Sequence, residues 1–390
     1  MKSLGKCPPI PEALGQLVAA PSISSTQADI DQGNIEVVQL LANWLDDLGF
    51  QVQIDQLDAA AEKANLYASI GPDKPGGILF SGHLDTVPCD PQRWSADPFS
   101  LTETSLGYQG LGSTDMKGFF AVLLQCFAGL HPHRLDRPVS VIATADEESS
   151  MTGGRALRRE HLHRSAAVII GEPTDLQPIR MHKGIMMEAL RVTGQGGHSS
   201  DPSLGLNAME VMQDLMANLL QLRTELQQQH KHSGFAVQVP TLNLGCIHGG
   251  DNPNRICSQC EIQFDLRTLP GMLNQPLRER IDQLAQSAAT KWGCRIERVS
   301  LFPGVDSFEQ EQGSELVEIS EALSGQVAQA VSFATEAPFF KALGANTLVM
   351  GPGSIKQAHR VDEYLPGAQL DPAVALYSKL IDSYCVDPRG

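Results

Sequence analysis

The sequence predicts an α/β protein: a mostly parallel sheet covered by helices, interrupted by an inserted βαββαβ (ferredoxin-like) α+β domain. Three observations carry this. Near-continuous apolar runs at residues 77–80, 139–145, 166–171 and 347–350 are separated by helical patterns, as in strands buried on both faces. Between about residues 185 and 303 the pattern changes to strands and amphipathic helices in the order βαββαβ. A chain of 390 residues also exceeds the roughly 250–300 at which a single core usually splits. The expected division is therefore 1–184 and 304–390 as the two parts of one domain, with 185–303 as the insertion.

In chain order, residues 34–48 read as a helix. Val37, Leu41, Trp44 and Leu48 recur at helical spacing, Asn34 is available as N-cap, and Gly49 stops it. Strands at 51–54 and 65–70 follow, the second closed by Gly71-Pro72-Asp73. The run 77–80 leads into Ser81-Gly82-His83-Leu84-Asp85-Thr86-Val87-Pro88. Two residues apart at a strand end, His83 and Asp85 project to the same side. That spacing lets His83 bind a metal while Asp85 sits behind or beside it as an orienting carboxylate. Next, Gly110-Leu111-Gly112-Ser113-Thr114-Asp115-Met116-Lys117-Gly118 precedes a helix over 119–130 that is apolar on nearly every face and so buried. The Gly-x-Gly here lacks the third glycine and compact βαβ unit of a dinucleotide site. Its loop instead places Asp115 ahead of a buried helix.

The runs 139–145 and 166–171 end in Asp146-Glu147-Glu148 and Glu172-Pro173-Thr174. The run 347–350 is followed by Gly351-Pro352-Gly353 and, after a short loop, His359. Within the insertion, strands are expected at 187–193, 237–247, 257–266 and 295–301, with helices at 207–229 and 276–291. The first of these helices lines up Ala208, Met212, Leu215, Leu219, Leu222 and Leu226 on one face, and the third strand alternates Ile262, Phe264 and Leu266 against Glu261, Gln263 and Asp265. Cys257 and Cys260 fall in a strand-like run, where residues three apart face opposite sides, and no second such pair exists, so a structural zinc is not expected there.

The eight cysteines are too sparse for a disulfide scaffold and suit a reducing compartment. A net charge of -16 argues against nucleic-acid or anionic-membrane partners. The opening residues lack the apolar core of a signal peptide and no stretch is long enough to span a membrane, so the expected location is the cytoplasm.

In an open sheet of this kind, ligands bind beyond the carboxyl ends of the strands, and His83, Asp85, Asp115, Glu147, Glu148, Glu172 and His359 all fall at that edge. Two imidazoles with several carboxylates and no thiolate suit Zn²⁺, Co²⁺ or Mn²⁺. Without cations so much gathered negative charge would repel itself. Two ions sharing a carboxylate polarise a carbonyl and acidify a shared water, and a free carboxylate must then accept that water's proton. Glu147 and Glu148 divide this labour, one facing metal and the other substrate.

These segments, with Gly197-His198-Ser199-Ser200 and the loop from Gly351 to His359, resemble the co-catalytic di-zinc amidohydrolase and metallopeptidase family, along essentially the whole chain. The resemblance implies two Zn²⁺ per subunit, with Co²⁺ as substitute. One ion would be held by His83, Asp115 and Glu172 and the other by Asp115, Glu148 and His359, with Asp115 bridging. It further implies Glu147 as general base, Asp85 orienting His83, and His198 stabilising the oxyanion, often from the partner subunit of a homodimer joined through the inserted domain. Asn254 and Arg255 match a substrate-contacting motif of the family's lid. Leu242-Asn243-Leu244-Gly245, Asn254-Arg255-Ile256-Cys257 and Thr335-Glu336-Ala337-Pro338-Phe339 look most like the branch acting on N²-acetyl-L-ornithine in arginine biosynthesis. The alternatives are a succinyl-diaminopimelate desuccinylase, a broader N-acyl-amino-acid deacylase or a dipeptidase with the same metals.

Overall fold

The computed structural model describes residues 7–162 and 165–387. The opening run 1–6, part of the stretch read above as lacking a leader, lies outside the described residues. The chain forms two compact units: Met1–Arg180 with Gln310–Gln329 and Thr335–Gly390, and Met181–Glu309 with Ala330–Ala334.

The first unit opens with helices α1 (Ile10–Val18) and α2 (Ile35–Asp47), strands β1 (Gln51–Asp58), β2 (Lys63–Ile70) and β3 (Gly77–His83), and helix α3 (Gly118–Ala128). Strands β4 (Val139–Thr144) and β5 (Ser165–Pro173) follow. The second unit contributes β6 (Gly184–Thr193), α4 (Ala208–Gln229), β7 (Thr241–Gly249), β8 (Gln259–Thr268), α5 (Asn274–Trp292) and β9 (Arg295–Val305). The chain then returns to the first unit with α6 (Glu315–Ser324), β10 (Asn346–Gly351) and α7 (Leu370–Cys385).

In the first unit the strands lie in the order β1-β2-β4-β3-β5-β10. The four from β4 to β10 are parallel, while β1 and β2 are antiparallel additions at one side. Burial on both faces explains the apolar runs: every residue of β3 and β4 is buried. Helix α3 buries Phe119, Phe120, Val122, Leu123, Leu124 and Phe127, and its amphipathicity is weak because solvent reaches almost none of it. Tyr377 of α7 meets both Phe119 and Phe80 of β3 edge-on, with ring centroids 5.6 Å apart in each pair.

Asn34 precedes α2 without capping it. Its amide clips the neighbouring strand instead, donating to the Ala64 carbonyl at 2.9 Å and accepting from the Ala64 N–H at 2.8 Å. Helix α1 was not foreseen. Its short apolar pattern begins at Pro9-Ile10-Pro11, where proline tolerates only a first helical turn.

The second unit has the strand order β7-β8-β6-β9, all antiparallel. Ile262, Phe264 and Leu266 of β8 pack with Ala208, Met212, Leu215, Leu219, Leu222 and Leu226 of α4, and Val211 joins that face. Strand β8 begins at Gln259, so Cys257 precedes it. The sequence argument that this pair faces opposite sides of one strand is thereby corrected: both thiols are buried and line the same hollow.

Candidate metal centre

β3 delivers His83 to its carboxyl end with the ring 1% exposed. The ring Nδ1 lies 3.0 Å from the backbone carbonyl of Asp85, so its N–H donates there and leaves Nε2 to face the centre. Nε2 is 3.2 Å from Asp115 Oδ1 and 3.9 Å from Glu172 Oε1. The other oxygen of Asp115, Oδ2, is 3.4 Å from His359 Nε2. That ring nitrogen is in turn 2.9 Å from the Glu148 carboxylate. One carboxylate therefore stands between two imidazoles, each with a further carboxylate beside it.

β4, whose Thr144 pairs with His83, hands the chain to Asp146, Glu147 and Glu148. Asp146 has a φ of 59°, a left-handed conformation that turns the chain back over the strand ends. It is pinned by the buried Lys63, whose Nζ donates to Asp146 at 2.7 Å and to Asp31 at 2.9 Å. The next two N–H groups, of Glu147 and Glu148, donate to the two oxygens of Asp85 at 3.2 and 3.1 Å. The Asp85 carboxylate thus holds the backbone of the Glu147-Glu148 pair, and Oδ1 lies 3.6 Å from His83 Nδ1, beyond hydrogen-bond range. His83 is oriented by the same residue through its carbonyl. Ligand-type atoms of His83, Glu147 and Glu172, and of His83, Asp115 and Glu148, lie within 4.8 Å of one another.

The electrostatics are those of a site assembled for cations. Burial pushes the carboxyls of Glu147 and Glu172 well above their usual range, with Glu172 reinforcing the rise at Glu147 and Asp115 at Glu172. Glu148 is raised by burial and by Asp115. Asp115 is buried too, yet hydrogen bonds from His359 and His83 hold it below the ordinary value. Hydrogen bonds to Asp115 and Glu148 lift His359 to about 11. Burial opposes charging of His83, but Asp115 and the surrounding carboxylates outweigh it and raise the imidazole well above its usual value.

The donor set fits two divalent ions. Zinc with N and O ligands at about 2.0–2.2 Å in tetrahedral geometry separates ligand atoms by about 3.4 Å, close to the 3.2 and 3.4 Å from Asp115 to the two imidazoles. With no thiolate in the group, a hard or borderline ion suits it.

The remaining predicted residues belong to the second unit. His198 and Arg255 face each other in a two-residue antiparallel ladder, and Ser199 N–H donates to the Asn254 carbonyl at 3.1 Å. His198 Nδ1 is 2.7 Å from Ser200 Oγ, and Arg255 Nη1 is 2.7 Å from Asp251. These three residues form an exposed cluster of their own.

Sequence reasoning missed the buried charged residues behind the centre. Lys117, 1% exposed, donates to the carbonyls of Leu17 and Ala20 at 2.9 and 2.8 Å, in and just past the last turn of α1, and burial lowers it to about 7. Glu336 accepts from Thr144 Oγ1 at 2.9 Å, and burial raises it to about 7. Glu363 accepts three N–H bonds from the Asp115 loop, and burial with the charge of Asp115 raises it to about 8. A glutamate four residues beyond His359 carries no spacing signal of its own.

Residues 79–383 match the peptidase family M20/M25/M40. An acetylornithine deacetylase from Pasteurella multocida (strain Pm70) is 44% identical over 380 residues, covering 97% of this chain and 99% of the relative. Among solved structures, an M20 metallo-carboxypeptidase from Sulfolobus solfataricus is similar with a TM-score of 0.75 at 17% identity, over 95% of this chain and 98% of that one. A dinuclear metal binding peptidase of the M20 family from Bacillus subtilis gives a TM-score of 0.66 at 15% identity, over 95% and 96%. At such identities the structural likenesses speak for the fold.

Proposed function

We propose, from the premise that this chain belongs to peptidase family M20/M25/M40, that it hydrolyses N²-acetyl-L-ornithine to acetate and L-ornithine with two divalent ions, Zn²⁺ or its substitute Co²⁺. The observation that carries this is the Asp115 carboxylate, with one oxygen toward His83 and the other toward His359. The near full-length likeness to an acetylornithine deacetylase supports the choice of substrate. His83, Asp115 and Glu172 would hold one ion, and Asp115, Glu148 and His359 the other. When bound, the pair would polarise the acetyl carbonyl and lower the pKa of the attacking water.

The chain's own residues supply the rest. Glu147, buried beside the centre, takes the proton that water loses as its oxygen bonds to the acetyl carbon. It returns that proton to the departing amine as the C–N bond breaks. Asp85 holds Glu147 and Glu148 in place through their N–H groups, and its carbonyl keeps His83 Nε2 facing inward. His198 donates to the oxyanion. Asn254 and Arg255 contact the substrate, the guanidinium matching its α-carboxylate.

A homodimer through the second unit belongs to the same reading. β7 is an edge strand with an exposed run, and Met209, Met212, Met216, Leu220 and Ile247 line an apolar hollow of about 510 Å³ beside it. No described helix is long and apolar enough to cross a membrane. Cytoplasmic location and a place in arginine biosynthesis are further parts of the proposal.

The test is release of ornithine from N²-acetyl-L-ornithine, beside N-succinyl-diaminopimelate, by protein stripped with chelator and restored with Zn²⁺ or Co²⁺. Metal-dependent release of ornithine is expected. Turnover of the succinyl substrate alone would overturn the choice of acyl group and keep the metal chemistry.

A further inference from the structure

We propose that Glu363 is a positioning residue that ties the loop carrying Asp115 to the segment carrying His359, and so sets the separation of the two metal positions. The inference rests on the metal assignment above and extends it to a residue outside the ligand set. The Glu363 side chain is buried, and the hydrogen bonds to its two carboxylate oxygens all come from one loop. Oε2 accepts from Gly112 N–H at 3.0 Å, and Oε1 accepts from Thr114 N–H at 2.8 Å and Asp115 N–H at 2.9 Å. This loop needs an external acceptor because it is not a regular helix. Gly112 is left-handed at φ 73°, and Asp115 and Met116 have non-helical backbone angles. Its N–H groups at 112, 114 and 115 find their acceptors in Glu363.

The segment also accepts two further bonds from the same stretch through its carbonyls. The Gly110 N–H donates to the Glu363 carbonyl at 3.0 Å, and Thr114 Oγ1 donates to the Tyr364 carbonyl at 2.6 Å. Four residues before Glu363 stands His359, half-exposed and also left-handed at φ 59°. Burial alone would not hold such a ring in register with Asp115 Oδ2. The carboxylate at 363 fastens the segment four residues beyond His359 to the backbone of the Asp115 loop, and across this junction Asp115 Oδ2 and His359 Nε2 stand 3.4 Å apart. A glutamine discriminates well here. Its single oxygen satisfies one side of the loop, and its NH₂ group points a donor at the N–H of the other.

The experiment compares Zn²⁺ binding by wild type, Glu363→Gln and Glu363→Asp, each stripped of metal and titrated against a chromophoric chelator, with melting temperature recorded in parallel. Tyr377→Phe is the control for generic destabilisation, because it removes a buried hydrogen bond to the Met350 carbonyl in the same unit without touching either loop. Glu363→Gln is expected to weaken Zn²⁺ binding by about 10–100-fold, the range for residues that orient metal ligands. At saturating Zn²⁺, kcat should fall while KM stays close to wild type. Glu363→Asp, which keeps two acceptor oxygens, should lose less than the glutamine variant, and Tyr377→Phe should lower only the melting temperature. Folded Gln and Asp variants with wild-type Zn²⁺ affinity would overturn the inference and leave the metal reading intact. A wild-type chain that binds no Zn²⁺ would overturn the metal reading, and this inference with it.

Discussion

Consider Asp85→Asn, which keeps the shape of the side chain and removes its charge. In the native site the carboxylate accepts the N–H groups of Glu147 and Glu148 at 3.2 and 3.1 Å, and the side chain is 1% exposed. An asparagine retains one acceptor and turns its NH₂ toward the other N–H. One hydrogen bond to a charged group, worth about 1.5–3 kcal/mol, is lost, and one buried N–H is left unsatisfied at about 1–3 kcal/mol. Because those costs overlap, a total near 2–5 kcal/mol is expected, enough to lower the melting temperature by several degrees. The catalytic consequence is separate. Glu147 loses its backbone anchor, so kcat should fall about 10–100-fold, or about 1.4–2.7 kcal/mol of barrier. The hydrogen bond from His83 to the Asp85 carbonyl does not depend on the substituted atoms. Differential scanning fluorimetry and an acetate-release assay at saturating Zn²⁺ measure both effects. A variant whose kcat returns fully to wild type when Zn²⁺ is raised would refute the reasoning, since the carboxylate would then act through a metal ligand such as Glu148 and not through Glu147.

Four further outcomes are expected. Glu147→Gln should lower kcat by about 10²–10⁴-fold, the span of general acid–base catalysis, while calorimetry still counts two bound ions. Chelator treatment should abolish turnover and lower the melting temperature, because ions at about 100 times their Kd contribute about 2.7 kcal/mol that the apo protein lacks. Gly171→Ala would set a Cβ 2.2–2.4 Å from three ring atoms of Phe119, so a loss of at least about 1–3 kcal/mol should appear as a lower melting temperature. In metal-free protein the melting temperature should fall as pH rises from about 6 to about 8. His359, lifted to about 11 by Asp115 and Glu148, stabilises below its unfolded pKa and loses that contribution upward. Glu336 and Glu363, raised by burial to about 7 and about 8, lose stability as pH climbs from the ordinary carboxylate range to those values and change nothing further above them. Lys117, lowered by burial to about 7, opposes the trend but is outnumbered. Zn²⁺ should flatten the slope, and a metal-free protein that grew more stable over this range would contradict these assignments.

Most of the site legible in the sequence is attached to regular strands, with Asp115 and His359 read from the loops before a buried helix and after the run 347–350. A run buried on both faces must stop where polar residues begin, so His83, Glu147, Glu148 and Glu172 could be placed at one edge without knowing the sheet order. The alternation of β8 and the apolar face of α4 gave the second unit for the same reason. Illegible were residues whose roles depend on irregular backbone. The left-handed Asp146, the clip from Asn34 to Ala64, and the carboxylate of Glu363 beneath the Asp115 loop all satisfy N–H groups or turns that no periodic pattern announces. Asp85 shows the limit within a single residue. Spacing places it beside His83, but the division of labour, carbonyl to the ring and carboxylate to the two glutamates, depends on the fold.

The first unit is discontinuous in the chain, with the second unit encoded between β5 and β10. A ribosome therefore releases His83, Asp115, Glu147, Glu148 and Glu172 long before it reaches His359 and Glu363. At about 5–20 residues per second, the wait after Glu172 is on the order of 10–40 s. During that interval the nascent chain carries a cluster of carboxylates with one of its two imidazoles and no β10 to close the sheet. On the proposed metal reading, any ion captured early would meet an incomplete coordination set, so loading of both positions would follow the emergence of His359.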